Sequence, residues 1–162
     1  LPFPIISVVN GLAVGVGFSF ALHGDIIVAS KDAYFWANFV KIGLVPDGAM
    51  SFILPRYIGY HSAASHMLLA EKMTASEAKS RGIVYQVYEA QSLMENAVEL
   101  AKVVASHSKV ANKETRSLLI EGIDRTFKEQ IQAESVSQAR AGYSDEAKKA
   151  IIDFITKGSK RN

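Results

Sequence analysis

The sequence predicts an α/β fold with its strands first and its helices afterwards. Three observations carry that prediction. Two short β-branched runs, Ile5 to Val9 and Asp25 to Ala29, flank a glycine-rich turn and a short apolar segment, the pattern of a strand, a turn, a helix and a parallel strand. From Ser51 onward the apolar residues recur at helical spacing. The third is size, since 162 residues of which 49% are hydrophobic can bury a sizeable core. The absence of cysteine excludes a disulfide scaffold, a thiolate zinc site and a cysteine nucleophile. A net charge of +2 is too small to mark a nucleic-acid partner. Lys157, Lys160 and Arg161 nevertheless make the C-terminal end locally basic, which leaves room for a small anionic ligand.

Leu1 to Gly24 contains no Asp, Glu, Lys or Arg and is long enough to cross a bilayer. Pro2, Pro4, Asn10, Gly11, Gly15 and Gly17 interrupt it, so buried core elements are expected there instead of a membrane span. Ile5 to Val9 reads as a strand ended by Asn10-Gly11, and Gly15-Val16-Gly17 opens a helix over Phe18 to His23. Asp25 to Ala29 is then a second strand, parallel to the first and joined to it by a right-handed crossover. Ala33 to Phe39 reads as a third strand or an extended segment, and Pro46-Asp47-Gly48 as a turn held by apolar neighbours.

Helices are expected over Phe52 to Ile58 and His61 to Met73. Thr74-Ala75-Ser76-Glu77 matches a capping box, and the helix it opens should end near Gly82. Ile83 to Tyr88 is a last short strand, followed by amphipathic helices over Ser92 to His107 and Lys113 to Arg140. Ser144-Asp145-Glu146 opens a final helix whose apolar side is Ile151, Ile152, Phe154 and Ile155. The chain therefore divides into a mixed part over 1–89 and a helical part over 90–162. So small a sheet leaves an exposed edge, which further chain or another subunit is expected to cover. The start at Leu1 fits an incompletely represented chain.

Two places could carry chemistry. The glycines at 11, 15 and 17 fail the dinucleotide fingerprint at Phe20, and the Gly-Lys-Ser/Thr of a phosphate loop is absent. A glycine turn into a helix either lets the helix pack on its strand or presents unpartnered N–H groups to a developing oxyanion. Asp47 has two readings as well. Its carboxylate caps the local turn, or it stands desolvated among Ile42, Leu44, Val45, Met50 and Phe52 and acts as a base. The four histidines, His23, His61, His66 and His107, read as capping or solvated residues. Trp36, with Tyr34, Phe35 and Phe39, either lines an apolar tunnel or belongs to the core.

The runs NGLAVGVGFSFALHGDIIVASKDAYF, IGLVPDGAMSFILPRYIG and MTASEAKSRGIVYQVYE, taken in order, resemble the enoyl-CoA hydratase/isomerase (crotonase) superfamily. The tail YSDEAKKAIIDFITKGSK is similar to the C-terminal helix of its 3,2-enoyl-CoA isomerase branch. The resemblance implies a crotonase-like ββα spiral, of which residues 1–89 would be the C-terminal part. A helical trimerisation region over 90–162 would follow, with a homotrimer or hexamer as the assembly and an acyl-CoA thioester as the ligand.

By the motif match the Val16 N–H, between Gly15 and Gly17, is one donor of the oxyanion hole. The second donor belongs to a loop earlier in the family's chain that has no counterpart here. Hydratases use two glutamates at the positions of Ser19 and Phe39, which disfavours hydration. The isomerases place a carboxylate where Asp47 stands, with Gly48 after it. The implied reaction is isomerisation of 3-enoyl-CoA to 2-enoyl-CoA with Asp47 as base, Phe39 and Leu44 on the acyl wall, no metal, and coenzyme A only as part of the substrate. The alternative is a catalytically silent crotonase-fold module that binds CoA or a protein partner, as the bulkier Ala49-Met50 beside the turn would allow.

Overall fold

The computed structural model describes residues 1–158. Lys160 and Arg161 of the basic end lie outside the described residues, as does the side chain of Lys157. Residues 5–101 form one compact unit, and residues 1–4 with the helical segment from 102 onward form a second.

In the first unit β1 (Ile6–Val9) and β3 (Ile26–Ser30) pair in parallel, with Ile6 opposite Ile26 and Val9 opposite Ala29. The parallel β6 (Gln86–Tyr88) adds to the far side of β3. This sheet is therefore ordered β1-β3-β6. Its central strand is buried from Ile27 to Ser30 on both faces, as a parallel strand covered on two sides must be. A second sheet, ordered β2-β4-β5, contains β2 (Leu12–Val14), β4 (Tyr34–Trp36) and β5 (Lys72–Thr74). Here β2 and β4 are parallel, while β4 and β5 are antiparallel. Consecutive strands thus enter different sheets. Gly11, at φ +120°, allows the change of direction between β1 and β2.

Helix α1 (Val16–Leu22) follows β2 and buries Phe18, Ser19, Ala21 and Leu22. The Phe18 ring meets that of Phe35 from β4 at a centroid distance of 5.1 Å. Met50 and Leu54 of α2 (Met50–Ile58) and Met73 of β5 complete the fully buried centre. Each such side chain contributes about 1.5–3 kcal/mol of hydrophobic stabilisation. Helix α3 (Tyr60–Leu68) and α4 (Ala75–Ser80) follow, the latter opened by the expected Thr74–Glu77 capping box. Gly82 lies just beyond α4 at φ +81°, as a helix end requires. On the other side of the first sheet, Leu93 and Ala97 of α5 (Leu93–Ser106) pack with Val28.

Several expectations change. The glycine segment contains a strand, β2, and the stretch expected to be helical up to Met73 ends at Leu68 and becomes β5. The reason is pairing: Met73 sits opposite Phe35 in the ladder and is fully buried there. The helix expected from Lys113 to Arg140 is two, α6 (Lys109–Glu121) and α7 (Phe127–Gly142). A 3-10 turn over Gly122–Asp124 separates them, and a second capping box, Thr126 with Glu129, starts α7. Helix α8 (Asp145–Gly158) begins after Ser144, whose hydroxyl accepts from the Ala147 N–H at 3.2 Å. Among the described residues no helix is long and apolar enough to cross a membrane. His66 is buried on α3, against the expectation of a capping or solvated residue.

Candidate active site

Both candidate places converge on α1. At its start, Gly15 takes φ +53° and donates its N–H to the Trp36 carbonyl at 2.9 Å, which fixes the turn to β4. The first helical bonds run from Phe18 and Ser19 N–H to the Gly15 carbonyl. The N–H groups of Val16 and Gly17 precede these bonds and belong to the unpaired first turn of the helix. Val16 is an exposed residue at this turn. Phe39 is buried against this turn, since a Cβ built on Gly15 would meet its ring at 3.7 Å and Asn38 Oδ1 at 3.5 Å.

One helical turn further on, the fully buried Ser19 holds the second place. Its hydroxyl donates to the Asp47 carbonyl at 2.9 Å. His23, which caps the C-terminal end of α1, brings Nε2 to 3.0 Å from the Gly48 carbonyl. The carbonyl can only accept, so Nε2 carries the proton and donates it. Gly48 and Ala49 both adopt left-handed backbone, at φ +56° and +64°. A side chain at 48 is excluded twice, by that φ and by a Cβ that would sit 2.7 Å from Ser19 Cβ. Ser19 N–H also donates to Gly15 O, so this one residue ties the glycine turn to the Asp47 turn.

The expected desolvation of Asp47 is corrected by its position. Asp47 is exposed, as are Ile42, Leu44 and Val45 beside it, so its apolar neighbours form an open rim and not a closed pocket. Leu44 belongs to that rim, whereas Phe39 lies beneath it in the core. Met50 is wholly buried in the hydrophobic core, so its bulk does not stand on the rim. Trp36 is half-buried and donates Nε1–H to the Ala70 carbonyl at 2.7 Å, while Phe35 beside it is core. The candidate site thus holds an exposed carboxylate, a group that can accept and return a proton, and the N–H groups of the first turn of α1, at the positive end of the helix, a place that favours negative charge.

Sequence reasoning missed the contacts of Ser19 and His23. A signal existed, because residues four apart share a helix face and the turn they meet has a bare glycine.

Comparison with known proteins agrees with this architecture. Residues 1–161 match the family model of enoyl-CoA hydratase/isomerase, and the chain belongs to that family. It is 32% identical over 159 residues to the 1,2-epoxyphenylacetyl-CoA isomerase of Escherichia coli, covering 98% of this chain and 61% of that protein. It is 30% identical to the short-chain-enoyl-CoA hydratase of Clostridium acetobutylicum, covering 95% and 59% respectively. Among solved structures, an enoyl-CoA hydratase/isomerase from Cupriavidus metallidurans superposes with a TM-score of 0.94 at 32% identity, over 97% of this chain and 59% of the other. The fold is accordingly crotonase-like. The chain spans about three-fifths of the length of these relatives.

Proposed function

We propose that this chain carries the proton-transfer machinery of an enoyl-CoA isomerase of the 3,2-enoyl-CoA type. The observation that carries the reading is the exposed Asp47 carboxylate on a turn hydrogen-bonded to α1, the helix that also presents the Val16 N–H. Asp47 takes the proton from C2 of a 3-enoyl thioester. The resulting dienolate spreads its charge onto the thioester oxygen, which the Val16 N–H stabilises by about 3 kcal/mol, the typical worth of one oxyanion donor. The protonated Asp47 then returns the proton at C4, so that the double bond moves from C3–C4 to C2–C3. The step is redox-neutral and needs only one base. General-base catalysis of this kind is worth about 10²- to 10⁴-fold.

Ser19 and Phe39 support isomerisation over hydration, because neither can activate water at the positions where the family's hydratases carry glutamate. Gly15 and Gly17 flank the Val16 N–H, Gly48 lets the turn approach α1, and the exposed Leu44 offers the acyl side, with Phe39 in the core beneath it. Coenzyme A enters as part of the substrate, and the assembly is a homotrimer or hexamer. The test is conversion of a 3-enoyl-CoA to the conjugated 2-enoyl thioester by the full-length protein and its Asp47→Asn variant. Turnover that falls by about 10²- to 10⁴-fold in the variant while thioester binding persists supports the reading. A parent that binds thioester without turning it over overturns it in favour of a silent binding module.

A further inference from the structure

We infer that Ser19 and His23 are the positioning residues of the Asp47 carboxylate, a role that rests on the proposed isomerase reading. The turn they hold is closed locally by the Met50 N–H, which donates to the Asp47 carbonyl at 3.1 Å. It contains two successive left-handed residues, Gly48 and Ala49, and a non-glycine residue in that region is strained and persists only where its surroundings over-determine it. Helix α2 begins at once after Ala49 with no side-chain cap on its N-terminus. Asp47 itself is exposed, so packing does not set its direction.

What ties this turn to the rest of the fold is a pair of side-chain hydrogen bonds from one helix face. Ser19 Oγ–H reaches the Asp47 carbonyl at 2.9 Å, and His23 Nε2–H reaches the Gly48 carbonyl at 3.0 Å. These are the two consecutive carbonyls on the C-terminal side of the carboxylate-bearing Cα. Holding both fixes the orientation of the peptide between them, and so the direction in which the Asp47 side chain leaves the backbone. The donors sit four residues apart on α1, the spacing that aligns side chains on one helix face. Ser19 is wholly buried and pressed against Gly48, so its hydroxyl has no freedom to leave. Where hydratases keep a carboxylate that activates water, the serine at this position holds the base instead. Neither residue touches the reacting carbon atoms in this role, and both act through Asp47.

The experiment uses the full-length protein and a 3-enoyl-CoA, with Ser19→Ala, His23→Leu and His23→Gln made alone and in the Asp47→Asn background. Misplacing a catalytic group by an ångström costs on the order of 10²-fold, so Ser19→Ala and His23→Leu should each lower kcat by about 10- to 100-fold. KM should stay within about twofold, because uniform thioester binding is untouched. His23→Gln keeps an N–H donor near the Nε2 position and should restore most of kcat. In the Asp47→Asn background Ser19→Ala and His23→Leu should cause no further loss, which a general destabilisation of the fold would not reproduce. An active parent whose variants keep its kcat, or lose the same factor again on top of Asp47→Asn, overturns the positioning role and leaves the isomerase reading standing. A parent without turnover overturns both.

Discussion

The two compact units bury opposite kinds of residue. Over residues 5–101 the buried set is dominated by apolar side chains such as Phe18, Phe35, Leu54 and Met73. In the segment from 102 onward the only buried side chains among the described residues are Glu114 and Ser137, bonded to each other at 2.8 Å between α6 and α7. Its apolar side chains, including Leu119, Phe127, Ile131, Ile152 and Phe154, are exposed. The first unit therefore encloses an apolar core of its own, although apolar side chains such as Leu12, Phe20 and Val45 remain on its surface. The helical unit holds its helices by capping and by polar contacts such as Ser137 with Glu114 and Gln130 with the Leu118 carbonyl, with its apolar stripes left open. That difference agrees with the proposed assembly, in which such stripes would meet other subunits.

The sharpest way to break the comparison is one substitution made in both units. Phe35→Ala should destabilise by about 3–5 kcal/mol, because the ring is wholly enclosed and its removal leaves a cavity. Phe127→Ala, at a ring 84% exposed, should stay within about 0.5 kcal/mol in urea unfolding at low protein concentration. Equal losses would mean that the helical stripes are buried in solution even under those conditions. Next in size, Gly48→Ala should cost about 1–3 kcal/mol, the range for left-handed strain, with the contact at Ser19 adding to it, and the unfolding midpoint measures this. A cost near zero would show that the turn is not pressed against α1.

Ser137→Ala removes the donor to a buried carboxylate and should cost about 1–3 kcal/mol, again read from the unfolding midpoint. A neutral result would show that the Ser137–Glu114 bond does not stabilise the packing of α6 on α7. The smallest effects concern capping, which the two units share. Thr74→Ala and Thr126→Ala should each cost about 1 kcal/mol, the usual worth of an N-cap oxygen. The backbone N–H and then the hydroxyl of Thr74 hold the Glu77 carboxyl below the ordinary glutamate range, and those of Thr126 do the same for Glu129. Both carboxyls thus bind their protons more weakly folded than unfolded. Their contribution is complete above the unfolded value of about 4.3 and is lost as pH falls through the lowered folded values. Helix content followed by circular dichroism from about pH 6 to 3 should fall less steeply in the two threonine variants. A response in only one unit would mean that capping, and not burial alone, separates them.

Much of this molecule was legible in its residues, and the places where it was not share one cause. The β1–β3 pair, α1, the Thr74 capping box and the stop at Gly82 are marked by local chemistry, and local chemistry is what a sequence displays. Strand β5 was hidden because Lys72–Thr74 carries no period of its own and becomes a strand only through the Phe35–Met73 pairing. Strand β2 was hidden in the same way among glycines, and the break after Glu121 was hidden by apolar residues that continue at helical spacing across it.

At the candidate site, Asp47, the Val16 turn, and Ser19 and Phe39 could be nominated from the residues alone, because these are matters of residue type at a motif position. Whether Asp47 stands exposed or enclosed, that Met50 turns into the core, and that Ser19 and His23 hold the turn were decided by the tertiary structure. Those contacts join residues 28 and 25 positions apart. Closing such distances depends on how two sheets and three helices stack, and no local preference in the chain encodes that.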